Sequence, residues 1–128
     1  MQQRFTFKKE ERLKSKKTID ELFAKGKSVF VYPFRVLYLP AETENTLPAQ
    51  VVFSVPKRSF KQAVKRNQIK RRMREAYRLN KSPFYQQLQQ KETQLAIIII
   101  YIDKEIKEYS VIEKGMVKVM KKLVEAAG

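Results

Sequence analysis

The apolar positions change their period several times along the chain, and each change marks an element. Ile19, Leu22 and Phe23 stand at i, i+3 and i+4, one apolar face of a short helix. Ser15 or Thr18 starts that helix, with Glu21 completing a capping box on Thr18, and Gly26 stops it. Residues 28–31 are β-prone as far as the break at Pro33. Residues 34–39 (FRVLYL) alternate, with Phe34, Val36 and Tyr38 on one face of a strand and Arg35 and Leu37 on the other. Residues 40–48 form a polar loop, and residues 50–55 (QVVFSV) a strand stopped by Pro56. Residues 95–102 (LAIIIIYI) are apolar without alternation, as in a central strand covered on both faces. Ser110 starts a last helix, with Glu113 completing its capping box. Ile112, Met116, Val119, Met120 and Leu123 form its core stripe, while Lys118, Lys121 and Lys122 face out.

Between the second and third of these strong strands lies a different kind of stretch. Residues 57–78 carry ten Lys or Arg side chains and one acid, Glu75. A run this basic is usually a solvated tail. Here the apolar residues are interleaved at helical spacing: at 100° steps Ile69, Met73, Ala76 and Tyr77 share one arc. Asn67, Arg71, Arg74 and Arg78 line the opposite arc, with Arg66 and Lys70 on the flank. The stretch is a folded helix with a buried side and a cationic stripe, followed by a loop around Ser82 and Pro83. The resulting order, α-β-β-β-α-β-α, defines an α+β fold: a four-stranded sheet packed with helices as a two-layer sandwich. Residues 15–128 make one domain, and residues 1–14 a basic arm anchored by Phe5, Phe7 and Leu13, flexible unless it packs on the domain or a partner.

Charge sharpens this picture. The 128 residues hold 28 Lys or Arg against 13 Asp or Glu, a net charge of +15. Self-repulsion of that size makes a polyanion the expected partner, nucleic acid ahead of an anionic membrane surface. There is no cysteine and no signal-peptide core, and the longest apolar run is far short of the ~20 residues of a spanning helix. The expectation is a cytoplasmic protein without membrane contact. Histidine is absent, and aspartate occurs only as Asp20 and Asp103. Glu10, Glu11, Glu42 and Glu44 read as solvated surface charge. The chain is therefore poor in acid/base and metal-holding groups, which disfavours an autonomous nuclease.

Three features bear on binding. Arginine forks repeated along one helix face suit the phosphates of a backbone, and Asn67 among them can donate and accept. The eight Phe and six Tyr include candidates for stacking on RNA bases, namely Phe23, Tyr38, Tyr77 and Phe84, although most aromatics in a domain this size fill the core. Lys57 and Arg58, at the exit of a strand, either hold phosphate at the mouth of a groove or form an ordinary charged turn. A helix-turn-helix does not fit, because a strand and Pro56 precede the basic helix. The residues themselves define an RNA-binding domain, with DNA left open.

The segment from Ala63 to Tyr77 (AVKRNQIKRRMREAY) closely resembles the signature of the bacterial ribonuclease P protein subunit, which centres on Arg-Asn-Arg followed by Ile-Lys-Arg and a further Arg. The resemblance extends to Arg12-Leu13, to residues 22–26 (LFAKG), to residues 34–38, to residues 53–58 (FSVPKR) and to residues 95–100. It implies a protein partner of a catalytic RNA that removes the 5′ leader from precursor tRNA. The Mg²⁺ of that reaction is expected at the RNA active site, with no catalytic residue, metal or cofactor on the protein and no obligate protein partner. By the same resemblance, Lys65, Arg66, Asn67, Lys70, Arg71, Arg74 and Arg78 bind the RNA subunit. Ile19, Phe23, Arg35, Leu37, Ser54, Lys57 and Arg58 line the cleft for the single-stranded leader. A left-handed βαβ crossover is implied as well, against the usual rule. Gln68 stands where the signature has Arg, which weakens or replaces one phosphate contact. Ile19 stands where many members have an aromatic and Leu37 where some have Tyr, which shifts the cleft from stacking towards apolar contact and charge. The alternative is a ribosomal or chaperone-like RNA-binding protein with no role in cleavage.

Overall fold

The computed structural model describes residues 7–41 and 47–127. Phe5, Glu42, Glu44 and most of the 40–48 loop thus lie outside the described residues. The elements are α1 (Lys16–Lys25), β1 (Lys27–Val31), β2 (Phe34–Pro40), β3 (Ala49–Ser54), α2 (Ala63–Gln90), β4 (Leu95–Tyr101) and α3 (Tyr109–Ala127), the order expected from the sequence. The sheet order is β1-β2-β4-β3; β1, β2 and β4 pair antiparallel, and β3 runs parallel to β4, the two joined through α2.

β4 is central, and its lack of alternation has the expected cause. Leu95, Ile97, Ile99 and Tyr101 enter the main core, between the sheet and the α2–α3 pair, while Ala96 and Ile98 enter a second cluster on the opposite face. That second cluster holds Leu13, Leu22 and Leu37, and α1 is its cover. Ser15 caps α1 by accepting from the Thr18 amide at 3.2 Å, so Thr18 is a helical residue and not the cap. Gly26 ends α1 in an extended conformation, φ −67°, rather than a left-handed one. Glycine is needed there because a Cβ would collide with the Leu22 carbonyl oxygen.

Two expectations about helices are corrected. The basic stretch is helical only from Ala63, and α2 then runs unbroken through Ser82 and Pro83 to Gln90. Pro83 is exposed, so water can serve the carbonyl that its missing N–H leaves free, while Phe84 and Leu88 extend the buried stripe of Ile69, Met73, Ala76 and Tyr77. Each such side chain contributes about 1.5–3 kcal/mol on burial, enough to offset one proline. α3 begins at Tyr109, and Ser110 is not its cap: Glu108 supplies the carbonyl for the Val111 and Ile112 amides. Glu113 instead accepts from Asn80 Nδ2 of α2 at 3.1 Å and from Tyr109 Oη at 3.2 Å.

The described part of the N-terminal arm packs onto the domain. Phe7 lies 5.8 Å from both the Phe53 and Tyr77 rings, and the Leu13 amide donates to Val51 O at 3.0 Å beside the edge of β3. Glu11, expected as surface charge, is only 2% exposed, because a turn over Lys9–Glu11 carries its carboxylate inward against α2. Glu10 is exposed as expected.

Candidate nucleic-acid interface

α1 is only ten residues long and cannot cover its whole face of the sheet. Strand register shows what remains bare. Leu37, Ile98 and Val52 stand side by side on β2, β4 and β3 and belong to the cluster beneath α1. One row further, at the carboxyl ends of the parallel strands, Arg35, Ile100 and Ser54 stand side by side. They are the floor of an open cleft of about 810 Å³. Phe23 of α1 overhangs it, 60% exposed; Pro56, Arg58 and Ser59 enter from the turn after β3, and Ile102 and Lys104 from the segment after β4. Its charged lining is entirely cationic: Arg35, Arg58 and Lys104. A floor with apolar Ile100 between Arg35 and Ser54, an exposed ring and further cations at the margin suit a flexible chain that alternates flat apolar groups with phosphates.

Of the residues expected in this cleft, Phe23, Arg35, Ser54 and Arg58 are brought together there. Lys57 is exposed on the adjoining turn, outside the lining. Leu37 is 3% exposed and Ile19 is half-buried against the same cluster, so both hold α1 on the sheet. Leu37 has the right parity but sits one row too far in. Tyr38, Tyr77 and Phe84 are core residues at 8%, 1% and 2% exposure and are unavailable for stacking.

The stripe on α2 is divided by function. Asn67, Arg71 and Arg74 are exposed and take part in no ion pair among the described residues; Lys65 is exposed as well. Arg78 pairs with Glu75 one turn before it. Arg66 is tied to the fold: its Nη1 donates to the carbonyls of Phe60 at 2.7 Å and Lys61 at 2.9 Å, holding the turn that leads into α2. Arg72 similarly donates to Lys107 O at 2.7 Å, fixing the segment after β4. Lys70 and Arg74 meet Arg12 and Lys14 of the arm around a small cavity of about 230 Å³ beside β3. The sequence could not show that convergence, because Arg12 and Arg74 are brought together only when the arm docks on β3. Ile100, Ile102 and Lys104 were missed for a plainer reason: apolar strand residues and a turn lysine carry no binding signal by themselves.

A small α+β domain with a bare cationic cleft on one sheet face and an arginine-lined helix is the frame of an RNA-binding protein. The sequence model described as Ribonuclease P matches residues 7–124. The ribonuclease P protein component of Porphyromonas gingivalis is 36% identical over 124 residues, 97% of this chain and 88% of that protein. That of Petrotoga mobilis is 40% identical over 79 residues, 62% of this chain and 64% of the relative. Among solved structures, the Thermotoga maritima RNase P protein superposes with a TM-score of 0.70 at 22% identity, covering 88% of this chain and 96% of that one. The Staphylococcus aureus RNase P protein gives 0.68 at 24% identity, covering 88% and 94%. The chain belongs to the ribonuclease P protein family.

Proposed function

We propose that this chain is the protein component of a ribonuclease P ribonucleoprotein, in which it assists a catalytic RNA to remove the 5′ leader of precursor tRNA. The exposed side of α2 docks on the catalytic RNA through Lys65, Asn67, Lys70, Arg71 and Arg74. The cleft between α1, the sheet and the turn after β3 holds the single-stranded leader. The observation that carries this reading is the row Arg35–Ile100–Ser54 left bare beneath Phe23. It gives a leader phosphate a cation at Arg35 and a leader base an apolar contact at Ile100, in one open groove with the Phe23 ring.

The protein's contribution is binding and orientation. Contacts to the leader favour precursor over mature tRNA, and those made equally in ground and transition state raise kcat/KM rather than kcat. The hydrolytic chemistry belongs to the RNA and its Mg²⁺ in this reading. In support, no three His, Cys, Asp or Glu residues converge among the described residues, and the closely spaced Asp103 and Glu105 both face Lys107. Such a donor set does not fit a protein-held metal. The complex needs no second protein and works in the cytoplasm, where precursor tRNA is made; no described helix is long and apolar enough to cross a membrane.

The test is reconstitution with the cognate catalytic RNA at physiological Mg²⁺. Tighter binding and faster cleavage of leader-bearing substrate, with little effect on binding of mature tRNA, is the expected result. Unchanged handling of both would overturn the reading, and cleavage by the RNA-free protein would overturn its assignment of the chemistry.

A further inference from the structure

The row that floors the cleft does not end at Arg35. In the antiparallel pairing of β1 with β2, Phe30 stands directly across from Arg35, so both side chains project from the same face of the sheet. The neighbours of Phe30 in β1 confirm that parity, since Val29 and Val31 pack into the main core on the other face. The full row across the four strands is Phe30–Arg35–Ile100–Ser54, about 14 Å at the usual strand spacing. Phe30 is 65% exposed.

A single exposed apolar residue is ordinary and by itself means nothing. This one is distinguished by its place. It continues the cleft floor in register, on an edge strand where the described residues leave it 65% exposed, with a guanidinium as its immediate neighbour. Tyr32, two residues on, is also exposed, but its hydroxyl is engaged by Asp103. Leu37 lies under α1 and Ile19 packs from α1 onto the same cluster, so among the described residues of this face Phe23 and Phe30 are the phenylalanine rings presented to solvent, one over the cleft and one at its outer margin. The cation after β4 that lines the same cleft, Lys104, is exposed too.

We infer that Phe30 is a stacking platform for a base of single-stranded RNA, extending the leader cleft to the edge of the sheet. A leader that crosses the floor places a phosphate at Arg35 and its next accessible base on the Phe30 ring. The inference rests on the leader-binding reading above and adds a position-specific contact to it. It also explains how a cleft without aromatics at residues 19 and 37 grips bases: the second ring is supplied from β1 instead.

The experiment uses the reconstituted ribonucleoprotein and precursor tRNAs with long or truncated leaders, each carrying a fluorescent adenine analogue at one leader position in turn. Phe30→Ala is expected to weaken binding of the long-leader substrate on the order of tenfold, as for loss of one base stack. It is expected to leave the truncated substrate and the melting temperature unchanged. Quenching of the analogue should disappear at one leader position, and Phe30→Trp should restore both affinity and quenching. If Arg35→Ala or Phe23→Ala weakens long-leader binding while Phe30→Ala does not, the platform is overturned and the cleft stands. If none of the three changes leader binding, the cleft reading itself falls, and the platform with it.

Discussion

Lys81 Nζ lies 2.7 Å from both carboxylate oxygens of Glu11, a pair 70 positions apart in sequence and almost wholly enclosed, with side chains 8% and 3% exposed. Tyr85 Oη donates to the same carboxylate at 2.7 Å and lies 2.9 Å from Tyr77 Oη. Removing one member of a buried ion pair leaves an uncompensated charge and typically costs about 3–5 kcal/mol, although the intact pair need not be better than an apolar one. Glu11→Gln is therefore expected to destabilise the domain by about that amount in urea melts. Glu11→Leu combined with Lys81→Met is expected to recover most of the loss. A loss under about 1 kcal/mol for the single change would mean that the arm does not hold Glu11 in place.

The stripe on α2 predicts two distinct kinds of arginine. Arg71→Ala removes an exposed side chain, so its melting curve should match the parent while binding to the catalytic RNA weakens. The slope of log K against log salt should become shallower by about 0.7–0.9 for one lost phosphate contact. Arg66→Ala instead frees the Phe60 and Lys61 carbonyls, and should lower stability by about 1–2 kcal/mol while leaving the salt slope of binding unchanged. Identical melting and identical salt slopes for both variants would show that the helix surface is not divided in this way.

What could be read in advance follows from the range of the interactions involved. The period of Ile112, Met116 and Val119, or of Ile69, Met73 and Ala76, is local and survives folding unchanged, so helix faces and strand parity came out of the sequence directly. Pro83 shows the limit of local reasoning: a helix breaker by propensity, it is overruled by the burial of Phe84 beside it and of Leu88 a turn further on. Glu11 shows it again, since only the docked arm reveals that an acid near the N-terminus meets Lys81. In the candidate site, parity placed Leu37 on the correct face, but the distance from the edge of α1 decides between floor and core. That distance depends on how far a ten-residue helix reaches across the sheet. The family signature pointed to α2 as the helix proposed to dock on RNA; register alone located Phe30.

Phe23 and its neighbour Leu22 should separate binding from stability. Phe23 is 60% exposed and Leu22 fully buried. Phe23→Ala is expected to change stability by no more than about 0.5 kcal/mol, yet to weaken binding of leader-bearing precursor tRNA. Leu22→Ala should cost about 2–5 kcal/mol because it opens a cavity between α1 and the sheet. The check is a thermal melt beside a leader-binding titration for each variant. A marked loss of stability in Phe23→Ala would return that ring to the core.

Alkaline pH should expose the tyrosine network. Burial pushes the Tyr77 hydroxyl pKa far above its usual value. The Tyr85 hydroxyl is raised by burial first, and then by the neighbouring Tyr77 and Glu11. Tyr109 is pushed up to about 12, by burial and then by Glu113. A raised folded-state pKa means that the folded chain keeps a proton which the unfolded chain loses above about pH 10. Below that pH both states are protonated and the stabilisation is fully present; above it, stability falls by about 1.4 kcal/mol per pH unit for each phenol held protonated. Phenolate absorbance from Tyr77 and Tyr85 should therefore rise only together with loss of the far-ultraviolet circular dichroism signal. Tyr85→Phe should make the fall in stability above about pH 10 shallower by one such increment. Full phenolate absorbance from all six tyrosines while the dichroism signal stays intact would show that the two hydroxyls are open to solvent.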